Sequence, residues 1–370
     1  MKIGFDAKRA VSNFTGLGNY SRFVISNLMK YYPDNIYRLF IPKLPEEGKD
    51  SDIRKDETIY TLKQTRKPFW RTLGIIKDIE KEGIDIYHGL SNELPFGIKR
   101  IDAKTIVTIH DLIFLRYPRF YPLIDRIIYN IKAKYACKAA DKIIAVSECT
   151  KKDIIEYYKI EPSKIEVVYQ GCFPIYKEKS DMIKKTEVKT KYNLPENYLL
   201  SVGSIEERKN ILLVVKALKQ LPDVHFVAIG KKRRYTEEVL RYAAENDLSD
   251  RIHILSSVPL TDLPTIMQSC DIFVYPSLYE GFGIPIVEAL NSSVPVIGAK
   301  GSCLEESGGP NSIYINPLDE NELAHQINRI LADEALRKTM IKKGIEYVQR
   351  FSDKECTEAM IKVYKALYHQ

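Results

Sequence analysis

Ile272-Phe273-Val274-Tyr275-Pro276-Ser277 runs into Glu280-Gly281-Phe282-Gly283-Ile284-Pro285-Ile286-Val287-Glu288, and the apolar run Val294–Ile297 follows. The first and last runs have the length and composition of buried strands. Pro285 suits the first turn of a helix, where a missing N–H costs nothing. The whole reads strand, loop, helix, strand, which is the repeating unit of a parallel sheet.

Working outward, the same alternation fills the chain. Strand-like runs lie at Lys2–Phe5, Tyr37–Ile41, Ile84–His88, Thr105–Ile109, Lys142–Val146 and Lys164–Val168. A second series lies at Tyr198–Val202, His225–Ile229, Ile252–Leu255, Ile272–Tyr275, Val294–Ile297 and Ser312–Ile315. Amphipathic segments separate them. Tyr20, Phe23, Val24 and Leu28 fall on one face of Asn19–Lys30, and Ile124, Ile127, Ile128, Ile131 and Tyr135 on one face of Ile124–Lys138. Two series predict an α/β chain of two doubly wound parallel-sheet domains. They join near Tyr169-Gln170-Gly171-Cys172-Phe173-Pro174, and the charged stretch Tyr176–Lys191 reads as a linker or surface helix. Open sheets of this kind bind ligands at the carboxyl ends of their strands. If the domains face each other, they share one cleft.

The composition is that of an ordinary globular chain: 370 residues, 45% hydrophobic and 28% charged, which excludes collagen-like, coiled-coil and disordered classes. No apolar run approaches the roughly 20 residues that span a bilayer. Met1–Asp6 lacks the apolar core of a signal peptide and reads directly as a strand. Six scattered cysteines form no C-x-x-C pair, so they suit a reducing cytoplasm rather than a zinc or redox site. The net charge of +7 is lopsided: residues 1–175 carry +8 and residues 176–370 carry −1. A basic half can meet an anionic partner or can be a solvated face. No nucleic-acid-binding motif accompanies it.

Four post-strand loops hold the chemistry. Thr15-Gly16-Leu17-Gly18-Asn19 opens a helix near Tyr20, where glycines and free N–H groups suit a phosphate. A plain turn fits these residues as well, and Ser21 stands where a G-x-G-x-x-G would need its last glycine. In Ser201-Val202-Gly203-Ser204-Ile205-Glu206-Glu207-Arg208-Lys209-Asn210, two cations precede a helix that Asn210 would cap. That pair suits a diphosphate, or is a solvated pair beside Glu206 and Glu207. In the Glu280–Glu288 segment, one carboxylate precedes the helix and the other lies about one turn inside it. Such groups grip sugar and ribose hydroxyls by accepting two hydrogen bonds. His110-Asp111 ends the strand Thr105–Ile109, and His88-Gly89 ends Ile84–His88. Each histidine is either a ligand to substrate or a structural residue. Asp50-Ser51-Asp52 reads D-x-D but sits in the charged stretch Glu46–Glu57, so it is taken as surface loop and not as a metal clamp. There is no G-x-x-x-x-G-K-S/T, H-E-x-x-H or G-x-S-x-G.

Assembled, these segments resemble the GT-B-fold glycosyltransferases of the retaining family four. The most specific element is E-G-F-G-x-P-x-x-E, the family's E-x7-E, at Glu280 to Glu288. Supporting it in order are Gly16-Leu17-Gly18, His110-Asp111, Ala140–Ser147, Gly203…Arg208-Lys209-Asn210, and Asn316-Pro317 before Glu322-Leu323-Ala324. The resemblance implies an acceptor-binding domain over 1–172, a nucleotide-sugar domain over 173–352, and a helix over 353–370 returning to the first domain. It implies that His110 and Glu280 act at the transferred sugar and that Glu288 meets the ribose. Arg208 and Lys209 would meet the diphosphate, and the Phe282, Gly283 and Ile284 backbone the donor sugar and phosphate. Gly16 and Gly18 would close over the phosphates. Ser204 occupies a position where many members of the family that the chain resembles carry arginine, and the resemblance implies that Arg208 beside Lys209 replaces that cation. The spacing to Arg208-Lys209-Asn210 resembles mannosyltransferases, which favours GDP-mannose over UDP-sugars as donor.

The resemblance further implies an enzyme with no cofactor or metal, whose two cations and helix N-termini neutralise the leaving diphosphate. The acceptor would be a saccharide or lipid-linked saccharide of surface polysaccharide. Arg116–Pro122 and the cations Arg126, Lys132, Lys134, Lys138 and Lys142 would then rest on an anionic membrane at the cytoplasmic face. The competing reading is a non-catalytic nucleotide-sugar sensor or subunit.

Overall fold

Strands rich in Ile, Val, Leu and Phe form where both sheet faces are covered by helices. The computed structural model describes residues 1–13, 15–42, 60–64 (backbone only) and 70–369. Asp50-Ser51-Asp52 lies outside the described residues. The chain divides into two units, Met1–Gly171 with Ser352–Gln370, and Cys172–Phe351.

In the first unit, β1 (Lys2–Asp6), β2 (Ile36–Ile41), β3 (Tyr60–Gln64), β4 (Ile86–Gly89), β5 (Lys104–Ile109), β6 (Lys142–Ala145) and β7 (Ile165–Val167) make a parallel sheet. Its order is β3-β2-β1-β4-β5-β6-β7. Strand β3 is an edge strand beyond the six runs legible in sequence. Ile3, Phe5, Ile86, Ile106, Val107 and Ile143 are buried along the sheet. The strand order reverses between β1 and β4, which pair with Ile3 opposite Ile86 and Phe5 opposite His88.

In the second unit, β8 (Tyr198–Val202), β9 (His225–Ile229), β10 (Ile252–Leu255), β11 (Ile272–Tyr275), β12 (Val296–Ala299) and β13 (Ile313–Ile315) pair in the order β10-β9-β8-β11-β12-β13, again all parallel. The reversal falls between β8 and β11. Both units are therefore doubly wound, and each has one switch point at which a ligand crevice belongs.

The helix Asp353–Tyr368 is part of the first unit. Tyr364 is fully buried, and its hydroxyl is hydrogen-bonded to His88 Nδ1 at 2.6 Å. His88 Nε2 meets Thr108 Oγ1 at 2.8 Å, and Thr108 in turn meets the Tyr20 hydroxyl at 2.9 Å. His88 is thus a structural histidine that ties the final helix to β4 and β5.

The apolar stripe of the helix Leu123–Ala139 does not face the core. Leu123, Ile124, Ile127, Ile128 and Ile131 are exposed, while Ala133, Ala136, Cys137 and Ala139 are buried. Small side chains let this helix pack closely on the sheet, so its bulky face is left outside. Among the described residues, no disulfide joins the six cysteines. Among the described residues, no helix is long and apolar enough to cross a membrane.

Candidate active site

The second unit's switch point is built by the two loops that follow β8 and β11. After β8, Gly203 adopts φ +147°, and a Cβ there would lie 3.3 Å from Lys209 Cε. Glycine therefore admits the lysine stem across the strand end. A 3-10 turn, Glu207–Lys209, presents both cations. Asn210 does not cap the following helix Ile211–Ala217 as expected; it sits at φ 55°, with no side-chain bond to the helix. Its amide instead donates to the Pro276 and Pro317 carbonyls at 3.1 and 2.7 Å. The Leu278 N–H donates to the Arg208 carbonyl at 2.9 Å, fastening the β11 loop to the β8 loop.

Glu280 lies between the cations. Lys209 Nζ donates to Glu280 Oε1 at 2.5 Å and to the Tyr275 hydroxyl at 2.6 Å. Arg208 Nη1 lies 2.7 Å from Glu280 Oε2 and donates to the Tyr279 carbonyl at 2.7 Å, while Nη2 reaches Glu206. All three members of this triad are largely buried. Burial alone would raise the Glu280 pKa, but Arg208 and Lys209 outweigh it and hold the carboxyl at about 2. Burial draws Lys209 below the usual lysine range, against the pull of Glu280. The triad is one carboxylate shared by two cations and carries one net positive charge. Both Glu280 oxygens are committed to it, which makes Glu280 the group that holds the cations in place.

Gly283 precedes the helix Ile284–Asn291 at φ 98°, and a Cβ would clash with Leu304 Cδ2 at 2.8 Å and Ser307 Oγ at 2.9 Å. Phe282 turns its ring inward onto Phe351, with ring centroids 5.2 Å apart, so only its backbone can serve a ligand. Ile284 opens the helix and is partly exposed. Glu288 lies inside it, buried, with its pKa pushed up to about 7 by burial although the Tyr176 side chain hydrogen-bonds to it. Tyr176, read in sequence as the start of a charged linker, is buried in the second unit. Ser204 is partly buried on the β8 loop, outside the triad.

In the first unit, Gly16 and Gly18 are not in a loop before the helix. The helix is Gly16–Tyr31, and both lie in its first turn. A Cβ on Gly18 would sit 1.6 Å from the Asn13 carbonyl oxygen, so this glycine is required by packing; Gly16 is exposed with open space around it. His110 follows β5. Its N–H donates to Asn92 Oδ1 at 2.8 Å, and its Nε2 lies 2.9 Å from the Leu90 carbonyl oxygen. A carbonyl only accepts, so Nε2 carries the proton and Nδ1 is the acceptor in the neutral ring. Burial lowers its pKa to about 4, against the Leu90 bond. At neutral pH, His110 is therefore held as the uncharged ring, with Nδ1 as its acceptor atom. The Tyr20 ring edge fixes it at a centroid distance of 4.6 Å.

Sequence reading missed a second ion cluster, at the β1/β4 switch point. Arg71 Nε donates to Asp6 Oδ2 at 2.6 Å, its Nη1 to Glu93 Oε2 at 3.0 Å, and its Nη2 to Ser91 Oγ at 3.3 Å. Lys132 adds a bond to Glu93 at 3.1 Å. No motif marks Arg71. Only its place at the carboxyl end of the sheet reveals it. Among the described residues, no three His, Cys, Asp or Glu gather to hold a metal ion.

Residues 182–347 match the family described as glycosyl transferases group 1, and residues 36–172 match glycosyltransferase family 4. An uncharacterized glycosyltransferase of Methanocaldococcus jannaschii is 30% identical over 78% of this chain and 77% of its own length. The chain is a family 4 glycosyltransferase. O-antigen chain mannosyltransferase B of Escherichia coli is 28% identical to this glycosyltransferase, covering 99% of it and 100% of the relative. The crystal structure of Anabaena HepE in complex with UDP and glucose superimposes with TM-score 0.76, at 18% identity over 99% of this chain and all of that one. The fold is GT-B.

Proposed function

We propose that this glycosyltransferase moves mannose, with retention of configuration, from GDP-mannose to a saccharide or lipid-linked acceptor in surface polysaccharide synthesis. The observation that carries the reading is the Arg208–Glu280–Lys209 triad at the β8/β11 switch point. Mannose is supported by the end-to-end alignment with O-antigen chain mannosyltransferase B. UDP-sugars are the next candidates, since HepE holds UDP and glucose on the same fold.

As the anomeric C–O bond breaks, its electron pair moves to the diphosphate oxygen. Arg208 and Lys209, already positioned by Glu280, stabilise that charge without reorganising, and no metal is required. The acceptor hydroxyl bonds to the anomeric carbon on the face the diphosphate leaves, and its proton passes to the departing phosphate oxygen. Neutral His110 accepts a hydrogen bond from a sugar hydroxyl through Nδ1. Glu288, once ionised, accepts two bonds from ribose hydroxyls. The exposed Gly16 end of its helix offers N–H groups to an anion. A lipid-linked acceptor would hold the enzyme at the cytoplasmic face of an anionic membrane.

A thermal-shift series with GDP-mannose, UDP-glucose and UDP-GlcNAc tests the donor, and the largest shift is expected with GDP-mannose. A larger shift with a UDP-sugar would replace it. Product analysis by NMR is expected to show the α-anomer retained; an inverted product overturns retention. Activity is expected to survive EDTA, and its abolition with rescue by magnesium would count against the charge mechanism. Donor binding with neither transfer nor slow donor hydrolysis would make the protein a sensor.

A further inference from the structure

The helix Leu123–Ala139 carries an apolar face that the protein does not use. Leu123, Ile124, Ile127, Ile128 and Ile131 are between 43% and 71% exposed. The helix is nonetheless firmly seated. Ala133, Ala136, Cys137 and Ala139 are buried, the Tyr135 hydroxyl accepts from the Gly97 N–H at 2.7 Å and donates to the Pro95 carbonyl at 3.2 Å, and the Tyr129 ring meets Phe114 at 5.9 Å. Its outward face is therefore a fixed surface.

That face changes character along its length. Ile124, Ile127 and Ile131 are followed at helical spacing by Lys134 and Lys138, both exposed. Asp125 is the one acid on the helix, against Arg126, Lys132, Lys134 and Lys138. Lys164 donates to the Lys138 carbonyl at 3.1 Å, and Lys99, close enough to help lower the Lys164 pKa after burial has done so, adds a further cation at this end. Upstream, Arg119 is exposed with its guanidinium 4.9 Å from the Phe120 ring centroid. Contiguous exposed apolar surface rimmed by charge of one sign marks a docking face. An aliphatic stripe ending in lysines matches the boundary between acyl chains and anionic headgroups. A nucleic acid would leave the isoleucines in water. A second copy would set lysines against lysines in any parallel pairing of the helices.

We propose that this face docks on an anionic lipid bilayer, with Ile124, Ile127, Ile128 and Ile131 at the acyl boundary and Lys134 and Lys138 among the headgroups. This deepens the transferase reading by assigning its membrane a named surface, and it rests on exposure and charge rather than on the reaction.

Flotation of the full-length protein with vesicles of phosphatidylcholine plus phosphatidylglycerol, and of phosphatidylcholine alone, tests it. Wild-type protein is expected to float with the anionic vesicles and at least roughly fivefold less with the neutral ones, since each cation near an anionic surface contributes about fivefold. I124S/I127S/I131S should bind the anionic vesicles at least roughly tenfold more weakly. K134E/K138E should also fall by more than roughly tenfold. Thermal midpoints of the variants should match wild type because the replaced side chains are exposed, which separates lost docking from lost folding. Wild type left at the bottom with anionic vesicles, or the serine variant floating as well as wild type, overturns the proposal. So does a wild-type dimer in light scattering that the serine variant turns into a monomer, which would assign the face to a second copy. Nucleotide binding, measured on the same proteins by calorimetry, decides the transferase reading separately: its absence would leave the flotation result standing.

Discussion

The two switch points use the same topology with opposite charge. At β1/β4, one guanidinium, Arg71, is shared by two carboxylates, Asp6 and Glu93. At β8/β11, one carboxylate, Glu280, is shared by two cations, Arg208 and Lys209. Counted over these three groups alone, the first carries one net negative charge and the second one net positive charge, and the more exposed Lys132 and Glu206 sit on the rim of each as partial counter-charges. A doubly wound sheet fixes where a ligand goes. A surplus of cations suits a diphosphate, and a surplus of carboxylates suits a ligand rich in hydroxyls.

The contrast is broken most directly at Lys209. Lys209→Ala removes one of the two cations while leaving Arg208 on Glu280. Turnover should fall by about a hundred- to a thousandfold, the cost of losing one preorganised donor at roughly 2.7–4 kcal/mol. Circular dichroism should show the fold intact. Turnover at the wild-type rate would show that the positive excess has no role in the reaction.

Arg71→Met tests the opposite arrangement. It removes the cation that bridges Asp6 and Glu93 and leaves the two carboxylates with Lys132, Lys8 and Arg9 as the remaining nearby cations. Breaking a buried pair from one side costs about 3–5 kcal/mol. The loss should appear as a lower urea midpoint for the first unit. Trp70, the only tryptophan, is buried in that unit and reports its unfolding by fluorescence. Nucleotide affinity should be unchanged, because the triad lies in the second unit. A drop in affinity matching the drop in stability would deny the two switch points their separate roles.

The second unit was more legible than the first, for a physical reason. Its six strands are short apolar runs, and its functional residues sit in loops of special composition, where Gly203, Gly283 and Pro285 mark unusual backbone. In the first unit, Tyr60–Gln64 is an edge strand that alternates polar and apolar residues and so lacks the buried-strand signature. Arg71 lies in the π-helical turn Trp70–Gly74 with no motif around it. Periodicity located the stripe of Leu123–Ala139 but could not say which face is inside, because small residues won the close approach to the sheet. The Gly16 and Gly18 pair looked like a loop, and only the Asn13 carbonyl explains why a helix needs Gly18 there. Tyr176 was hidden by the charges that follow it, and its partner Glu288 is distant in sequence.

Acid should pull the two units apart. In the first, burial lowers His88 to about 3 and His110 to about 4, whereas an unfolded histidine titrates near 6.5. A depressed histidine pKa means that the unfolded chain takes up protons first. The first unit therefore has its full stability above pH 6.5 and loses it as pH falls toward 4, by about 1.4 kcal/mol per histidine over the first pH unit. In the second, Glu280 stays ionised until pH approaches 2, so the triad loses stability only as pH falls from the unfolded carboxyl value toward 2. Glu288, raised to about 7, has the reverse sign: its destabilising charge is removed as pH falls through 7. Between pH 7 and 5, the Trp70 urea midpoint should drop further than a circular dichroism transition from the second unit, where the gain from protonating Glu288 offsets the loss from His253, whose pKa burial also lowers. Parallel loss in both would refute the contrast.

The smallest effect isolates Glu288. The group sits about one turn inside Ile284–Asn291, buried with Tyr176, and its pKa of about 7 leaves it half protonated at neutral pH. In the proposed role it would accept two bonds from ribose hydroxyls as a carboxylate, and as an acid it would spend one oxygen as a donor. The difference is about one hydrogen bond to a charged group, ~1 kcal/mol or less after solvent exchange. Nucleotide affinity measured by calorimetry should therefore rise a few-fold between pH 6 and 8. Glu288→Gln should abolish the rise and fix affinity near the low-pH value, since the amide keeps one acceptor and cannot ionise. The two buried histidines of the first unit, His88 and His110, are neutral throughout that range. A pH-dependence that survives Glu288→Gln would have to arise outside the donor loop, and it would detach Glu288 from the ribose.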